Sequence, residues 1–89
     1  TLEQNYPNPF NPTTTIRYTT QKEENVTLAV FNAIGQKVRT LVDQKQPAGT
    51  YSLQWDGCDD AGVSLSGGVY FYQIRAGAST SVKKMIYLK

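Results

Sequence analysis

Hydrophobic and polar positions alternate along most of the chain. In "TYSLQWD", Tyr51, Leu53 and Trp55 fall on one side and Ser52, Gln54 and Asp56 on the other. A period of two is the mark of a half-buried strand. "TTTIRYT" carries it with Ile16 and Tyr18, "NVTLAVFN" with Val26, Leu28 and Val30, and "VYFYQIRA" with Tyr70, Tyr72 and Ile74. "KVRTLV" loses the alternation at Leu41 and Val42, which predicts a bulge. "TSVKKMIYLK" predicts one more strand at the end. Turn residues separate these runs: Gly35 in "AIGQ", Pro47 and Gly49 in "QPAGT", Gly57 and Gly68 at the two ends of a long Asp- and Gly-rich connection. No stretch keeps a helical period. The expectation is an all-β fold, an immunoglobulin-like antiparallel β-sandwich of about seven short strands. Trp55 is its expected core anchor, without the disulfide that usually accompanies such a tryptophan.

"NYPNPFNPTT" stands outside this rhythm. Pro7, Pro9 and Pro12 fix their own φ and push Tyr6, Asn8 and Asn11 towards extended geometry. Asparagine side chains bond to nearby backbone and hold turns. The segment is stiff before it docks, unlike a Gly/Ser linker. Tyr6 and Phe10 are its apolar handles. The reading is a stiff Asn/Pro-rich N-terminal segment over residues 1–12, packed on a β-sandwich over 13–89. A polyproline ligand for an aromatic groove is the other reading, but the prolines do not repeat at the required three.

Composition bounds the rest. The chain has 89 residues, enough for one domain. Hydrophobic residues make up 39%, which argues against general disorder. Net charge is +2 and no dense basic stripe appears, so nucleic acid is not an expected partner. No apolar run approaches the ~20 residues of a membrane helix, and no signal peptide is recognisable. Either the protein is cytoplasmic or the chain is a piece of a longer exported one. Histidine is absent, which removes the Ser-His and Cys-His arrangements, so an enzyme is not expected. Cys58 sits among Asp56, Asp59 and Asp60, where a reactive thiolate is disfavoured. Those three aspartates offer oxygen ligands for Ca²⁺, although the spacing is not that of an EF-hand. Turn chemistry is the preferred reading, and Ca²⁺ the weak candidate. Trp55, Tyr70 and Tyr72 read as core packing, with a sugar-stacking platform as the competing view.

Five blocks carry a family resemblance: "LEQNYPNPFNPTTTIRY", "VFNAIGQKVRTL", "AGTYSLQWDGCDDAG", "SGGVYFYQIRAG" and "KKMIYLK". Together they resemble the type A C-terminal sorting domain of the type IX secretion system of Bacteroidetes-like bacteria. They are also similar to the immunoglobulin-like domain of the flagellar hook-capping protein. "YPNPFNP" with the terminal "KMIYLK" points to the sorting family. The "WDGxDxxGxxLxxGVYxY" block is shared by both. Cys58 departs from the usual polar or basic residue there.

The sorting resemblance implies a non-catalytic signal domain of a larger exported protein, without cofactor. Its implied partners are the outer-membrane secretion machinery, a sortase-like protease that often removes it, and a cargo domain upstream in the same chain. Its implied location is the periplasm in transit, then the cell surface or the medium. Recognition is expected along the last strand, through Lys83, Lys84, Met85, Ile86, Tyr87, Leu88 and Lys89, by addition of a partner strand to an open edge. Pro7, Pro9, Phe10, Pro12, Gly35, Gly49, Trp55, Gly57, Gly68 and Tyr70 are the expected structural residues. An extracellular carbohydrate-binding or adhesive module, and a hook-cap-like structural domain, remain as alternatives.

Overall fold

The alternating runs become six antiparallel strands in a computed structural model that describes residues 1–89. They are β1 (Thr14–Thr20), β2 (Glu24–Asn32), β3 (Lys37–Gln46), β4 (Gly49–Trp55), β5 (Gly68–Ala76) and β6 (Ser79–Tyr87). β1 and β4 form one sheet, and β3-β2-β5-β6 form the other. The architecture is a β-sandwich, two sheets closed over one core.

Burial follows the sequence period. Ile16 and Tyr18 of β1, Val26, Leu28 and Val30 of β2, and Tyr70, Tyr72 and Ile74 of β5 are all buried. Each such side chain removed from water stabilises the fold by about 1.5–3 kcal/mol. Trp55 is fully enclosed at the centre, 5.7 Å from the Phe10 ring and 5.4 Å from that of Tyr70. Its indole N–H donates to the Cys58 carbonyl at 2.9 Å. The Tyr70 hydroxyl donates to the Ser66 carbonyl at 2.6 Å, in the manner of the tyrosine corner of such sandwiches.

β3 bulges where the alternation fails. Leu28 pairs with Val42 and Ala29 with Thr40, so Leu41 is the extra residue; Val38 is extra in the same way between Val30 and Phe31. The strand runs on through the polar "DQKQ" to Gln46, beyond the run that hydrophobicity marks. At its end Gln46 is buried and accepts the Tyr18 hydroxyl at 2.6 Å.

Residues 1–10 take the place of a seventh strand without regular pairing. First they run antiparallel to β1: Glu3 N–H donates to Arg17 C=O, Thr19 N–H to Thr1 C=O, and Tyr6 and Thr15 exchange both bonds. Then they cross to the other sheet and bridge β6 in parallel at Phe10 and Tyr87. The two expected handles divide. Phe10 is buried and stacks on Tyr87 at 4.8 Å, whereas the Tyr6 side chain is 80% exposed and only its backbone is engaged. Beneath the segment, the Tyr72 hydroxyl donates to Glu3 C=O and accepts from Asn5 N–H, both at 2.7 Å.

Burial pushes the Tyr72 phenol up to about 12 from 10.0, against the Asn5 hydrogen bond that lowers it. Burial raises Tyr18 and Tyr70 too. The folded state therefore holds these protons more tightly than the unfolded chain. The contribution of these tyrosines to stability is complete below pH 10.0 and is lost as pH rises towards about 12. In an alkaline titration, Tyr72 phenolate absorbance should appear together with loss of the near-UV circular dichroism signal. Phenolate formation by all tyrosines near pH 10.0, with the fold intact, would contradict this placement.

Candidate recognition surface

The two ends of the chain meet along the outer edge of β6. In the β5–β6 ladder the even-numbered residues of β6 turn their backbone groups away from β5. The N-terminal segment takes these groups up one after another. Gln4 Nε2 donates to Lys84 C=O at 2.8 Å, Asn8 Oδ1 accepts from Ile86 N–H at 2.9 Å, and Phe10 bonds both Ile86 C=O and Leu88 N–H. Asn5 secures the turn from within: its Nδ2 donates to Thr14 Oγ1 at 2.9 Å and to Pro7 C=O at 3.2 Å, and Thr14 Oγ1 donates to the same carbonyl.

This arrangement corrects one expectation. The edge of β6 is not free for strand addition from Lys84 to Leu88, because the protein's own N-terminal segment occupies it. Met85 and Tyr87 point into the core, so a partner cannot touch them while the domain is folded. What the last strand shows to solvent is Lys84, Leu88 and Lys89, with Lys83 and Ile86 half-covered. Lys83 and Lys84 lie on opposite faces, as strand geometry requires. Lys89 is held by its ammonium, which donates to Ser64 Oγ at 2.6 Å and to Leu65 C=O at 2.9 Å. Lys84 therefore stands on the outer sheet face opposite Phe71, while Lys89 marks the end where the chain stops.

The aspartate-rich connection is spent on its own structure. Asp59 Oδ1 accepts the Ala61 and Val63 N–H groups, and Asp60 Oδ1 accepts Thr40 N–H at 2.9 Å. Asp56 Oδ1 accepts Cys58 N–H at 3.1 Å and lies 3.5 Å from Arg39 Nη1. No group of three or more acidic, cysteine or histidine side chains is placed to hold a metal ion, so the Ca²⁺ reading of Asp56, Asp59 and Asp60 gains no support. Arg39, which sequence reasoning passed over, organises the connection by donating to the Cys58 and Asp59 carbonyls. Its only signal was a cation in a strand facing an acidic loop. The Cys58 thiol is pushed up, by burial first and then by Asp56.

Trp55 and Tyr72 are fully buried and Tyr70 nearly so, which agrees with core packing and leaves these three rings no sugar-stacking platform. The glycines serve turns: Gly35 closes the β2–β3 hairpin at φ +87, Gly49 opens β4, Gly68 opens β5, and Gly57 lies against Tyr87. Pro7, Pro9 and Pro12 stay exposed along the crossing segment.

Sheet order, enclosed tryptophan and tyrosine corner define an immunoglobulin-like domain. The model of the FlgD Ig-like domain family matches residues 10–81, and the chain belongs to that family. No curated protein matches it. Three solved structures share the fold. Dimeric latent PorU from Porphyromonas gingivalis is 21% identical with a TM-score of 0.76, over 98% of this chain and 9% of that one. PorZ, described as an essential bacterial surface component of the type-IX secretion system of the same organism, is 14% identical with a TM-score of 0.64, over 97% of this chain and 11% of that one. FlgD from Xanthomonas campestris, described in connection with hook capping in flagellar assembly, is 20% identical with a TM-score of 0.65, over 89% of this chain and 58% of that one. The chain thus spans less than two thirds of each of these proteins.

Proposed function

We propose that this domain is a non-catalytic secretion signal, recognised by type IX machinery at the outer membrane as part of a larger exported protein. The observation that carries the reading is the junction of the two ends. The blocks that resemble the sorting family most specifically, "YPNPFNP" and "KMIYLK", lie largely outside the matched residues 10–81. In the fold they are bonded to each other, Asn8 to Ile86 and Phe10 to Ile86 and Leu88. The docked N-terminal segment thereby determines which groups of the C-terminal strand stay open to a partner. Likeness to PorU and PorZ over nearly the whole chain supports the same reading. The proposed partners are the secretion machinery, a sortase-like protease and an upstream cargo domain, and the proposed route is through the periplasm to the surface or medium.

A second reading has its own support. Membership of the FlgD Ig-like family and the likeness to the Xanthomonas protein favour a structural domain that works by assembly. A transplant separates the two. Residues 1–89 are fused to the C-terminus of a reporter with a signal peptide, in a bacterium that has the type IX machinery. The sorting reading expects reporter at the surface or in the medium. A folded fusion held in the periplasm turns the balance to assembly. Deleting Met85–Lys89 is a poor control, because it also removes two core side chains; exposed substitutions are needed.

A further inference from the structure

An immunoglobulin-like sandwich of open sheets has edges to protect, and here the chain closes all but one. The outer edge of β1 is taken by residues 1–6. That of β6 is taken from Lys84 to Leu88 by residues 4–10, leaving only Thr80 and Val82 beside two lysines. The edge of β3 bonds the connection at Val38 and Thr40, carries two bulges, and bears Lys37, Arg39, Asp43 and Lys45. Charge, bulges and covering segments are the usual defences against strand pairing.

β4 has none of them. It is regularly paired over its whole length, "GTYSLQW", with no proline, no charged residue and no register shift. On β1 the odd-numbered residues bond the N-terminal segment, so the even-numbered ones bond β4, at Gly49, Tyr51, Leu53 and Trp55. The N–H and C=O groups of Thr50, Ser52 and Gln54 therefore face outward, and no hydrogen bond within the chain uses them. Their side chains are exposed, while Tyr51 and Leu53 on the inner face are only half-covered.

We infer that β4 is a pairing edge for a second copy of this chain, joined antiparallel about a two-fold axis at Ser52. That register sets Ser52 opposite Ser52 and Thr50 opposite Gln54, each pair exchanging both of its hydrogen bonds. It is self-complementary: no like charges face each other on the two β4 strands, and the half-covered Tyr51 and Leu53 of each copy gain cover from the other. The two small sheets become one continuous sheet. Such an isologous contact closes on itself and stops at a dimer. This inference stands apart from the sorting proposal and does not need it.

The test is sedimentation of the 89-residue chain from micromolar to millimolar concentration, with a reducing agent to exclude Cys58 cross-links. The average mass should climb towards twice that of the monomer. Ser52→Glu sets two carboxylates face to face in the dimer, yet within one copy it lies across from Arg17, which favours the folded monomer. Ser52→Pro removes an outward donor that the monomer does not use. Each should weaken dimerisation about tenfold or more. Val82→Glu, on the β6 edge, should leave it unchanged. If Ser52→Pro fails to fold, Ser52→Glu carries the comparison alone. A chain that stays monomeric at millimolar concentration overturns the inference. So does a dimer indifferent to the Ser52 variants, or one lost with Val82→Glu, since the contact then lies elsewhere.

Discussion

Phe10→Ala should destabilise the domain by about 3–5 kcal/mol, the usual range for emptying a buried phenylalanine site. Phe10 is 1% exposed, although it belongs to a segment with no regular secondary structure. Its ring stacks on Tyr87 at 4.8 Å and lies 5.7 Å from Trp55, so truncation leaves a void at the centre of the aromatic cluster. Its backbone bonds to Ile86 and Leu88 would survive only if the segment stayed docked. A domain of this size has about 5–15 kcal/mol in total. The loss should therefore lower Tm by more than ~10 °C. Tyr6→Ala, on an exposed side chain four residues earlier, should shift Tm by no more than a few degrees. Calorimetry on the two variants checks the contrast. Equal effects would show that the segment does not dock through Phe10.

Gly57→Ala should cost about 2–4 kcal/mol, from two sources acting together. Gly57 has φ +76, which an L side chain adopts only with strain. A Cβ there would also fall 2.6 Å from Tyr87 Cζ, in a ring that is buried and stacked on Phe10 and cannot swing aside freely. Gly35→Ala is the matched control. Its φ is +87 but nothing lies within 4 Å of the new methyl, so it should cost only about 1 kcal/mol. Denaturant midpoints for the two variants measure the difference. Similar values would mean that Tyr87 yields and that the turn is less tightly fitted than its geometry indicates.

The strands were legible because alternation is a local property. Tyr51, Leu53 and Trp55 declare their face within seven residues of sequence, and so do Tyr70, Tyr72 and Ile74. The bulge in β3 was legible for the same reason, as a break in the pattern. Non-local bonds left no such trace. Gln4 reaches Lys84 across 80 positions, and Asn8 reaches Ile86 across 78, through side-chain amides whose partners sequence spacing cannot name. The crossing of residues 1–10 from one sheet to the other was therefore invisible, and with it the closure of the β6 edge. Asp43–Lys45 showed no apolar signal because an edge strand with exposed faces needs none, and Gln46 is buried as the polar partner of Tyr18. The aspartates left two readings open, and turn chemistry was the preferred one. Carboxylates that cap backbone N–H groups have the same local sequence as carboxylates that bind an ion, and only the bonds of Asp56, Asp59 and Asp60 tell them apart. For the recognition surface, sequence marked the right strand but not which of its side chains reach solvent.

The most direct measurement is export of the reporter fusion when the last strand changes charge without losing its core. Lys83→Glu, Lys84→Glu and Lys89→Glu are combined in one fusion. Lys22→Glu, Lys37→Glu and Lys45→Glu, all exposed and away from that strand, are combined in another. Both domains are first shown to fold by circular dichroism. A signal read along its C-terminal strand loses export in the first fusion and keeps it in the second. Equal export of both would contradict recognition at that strand.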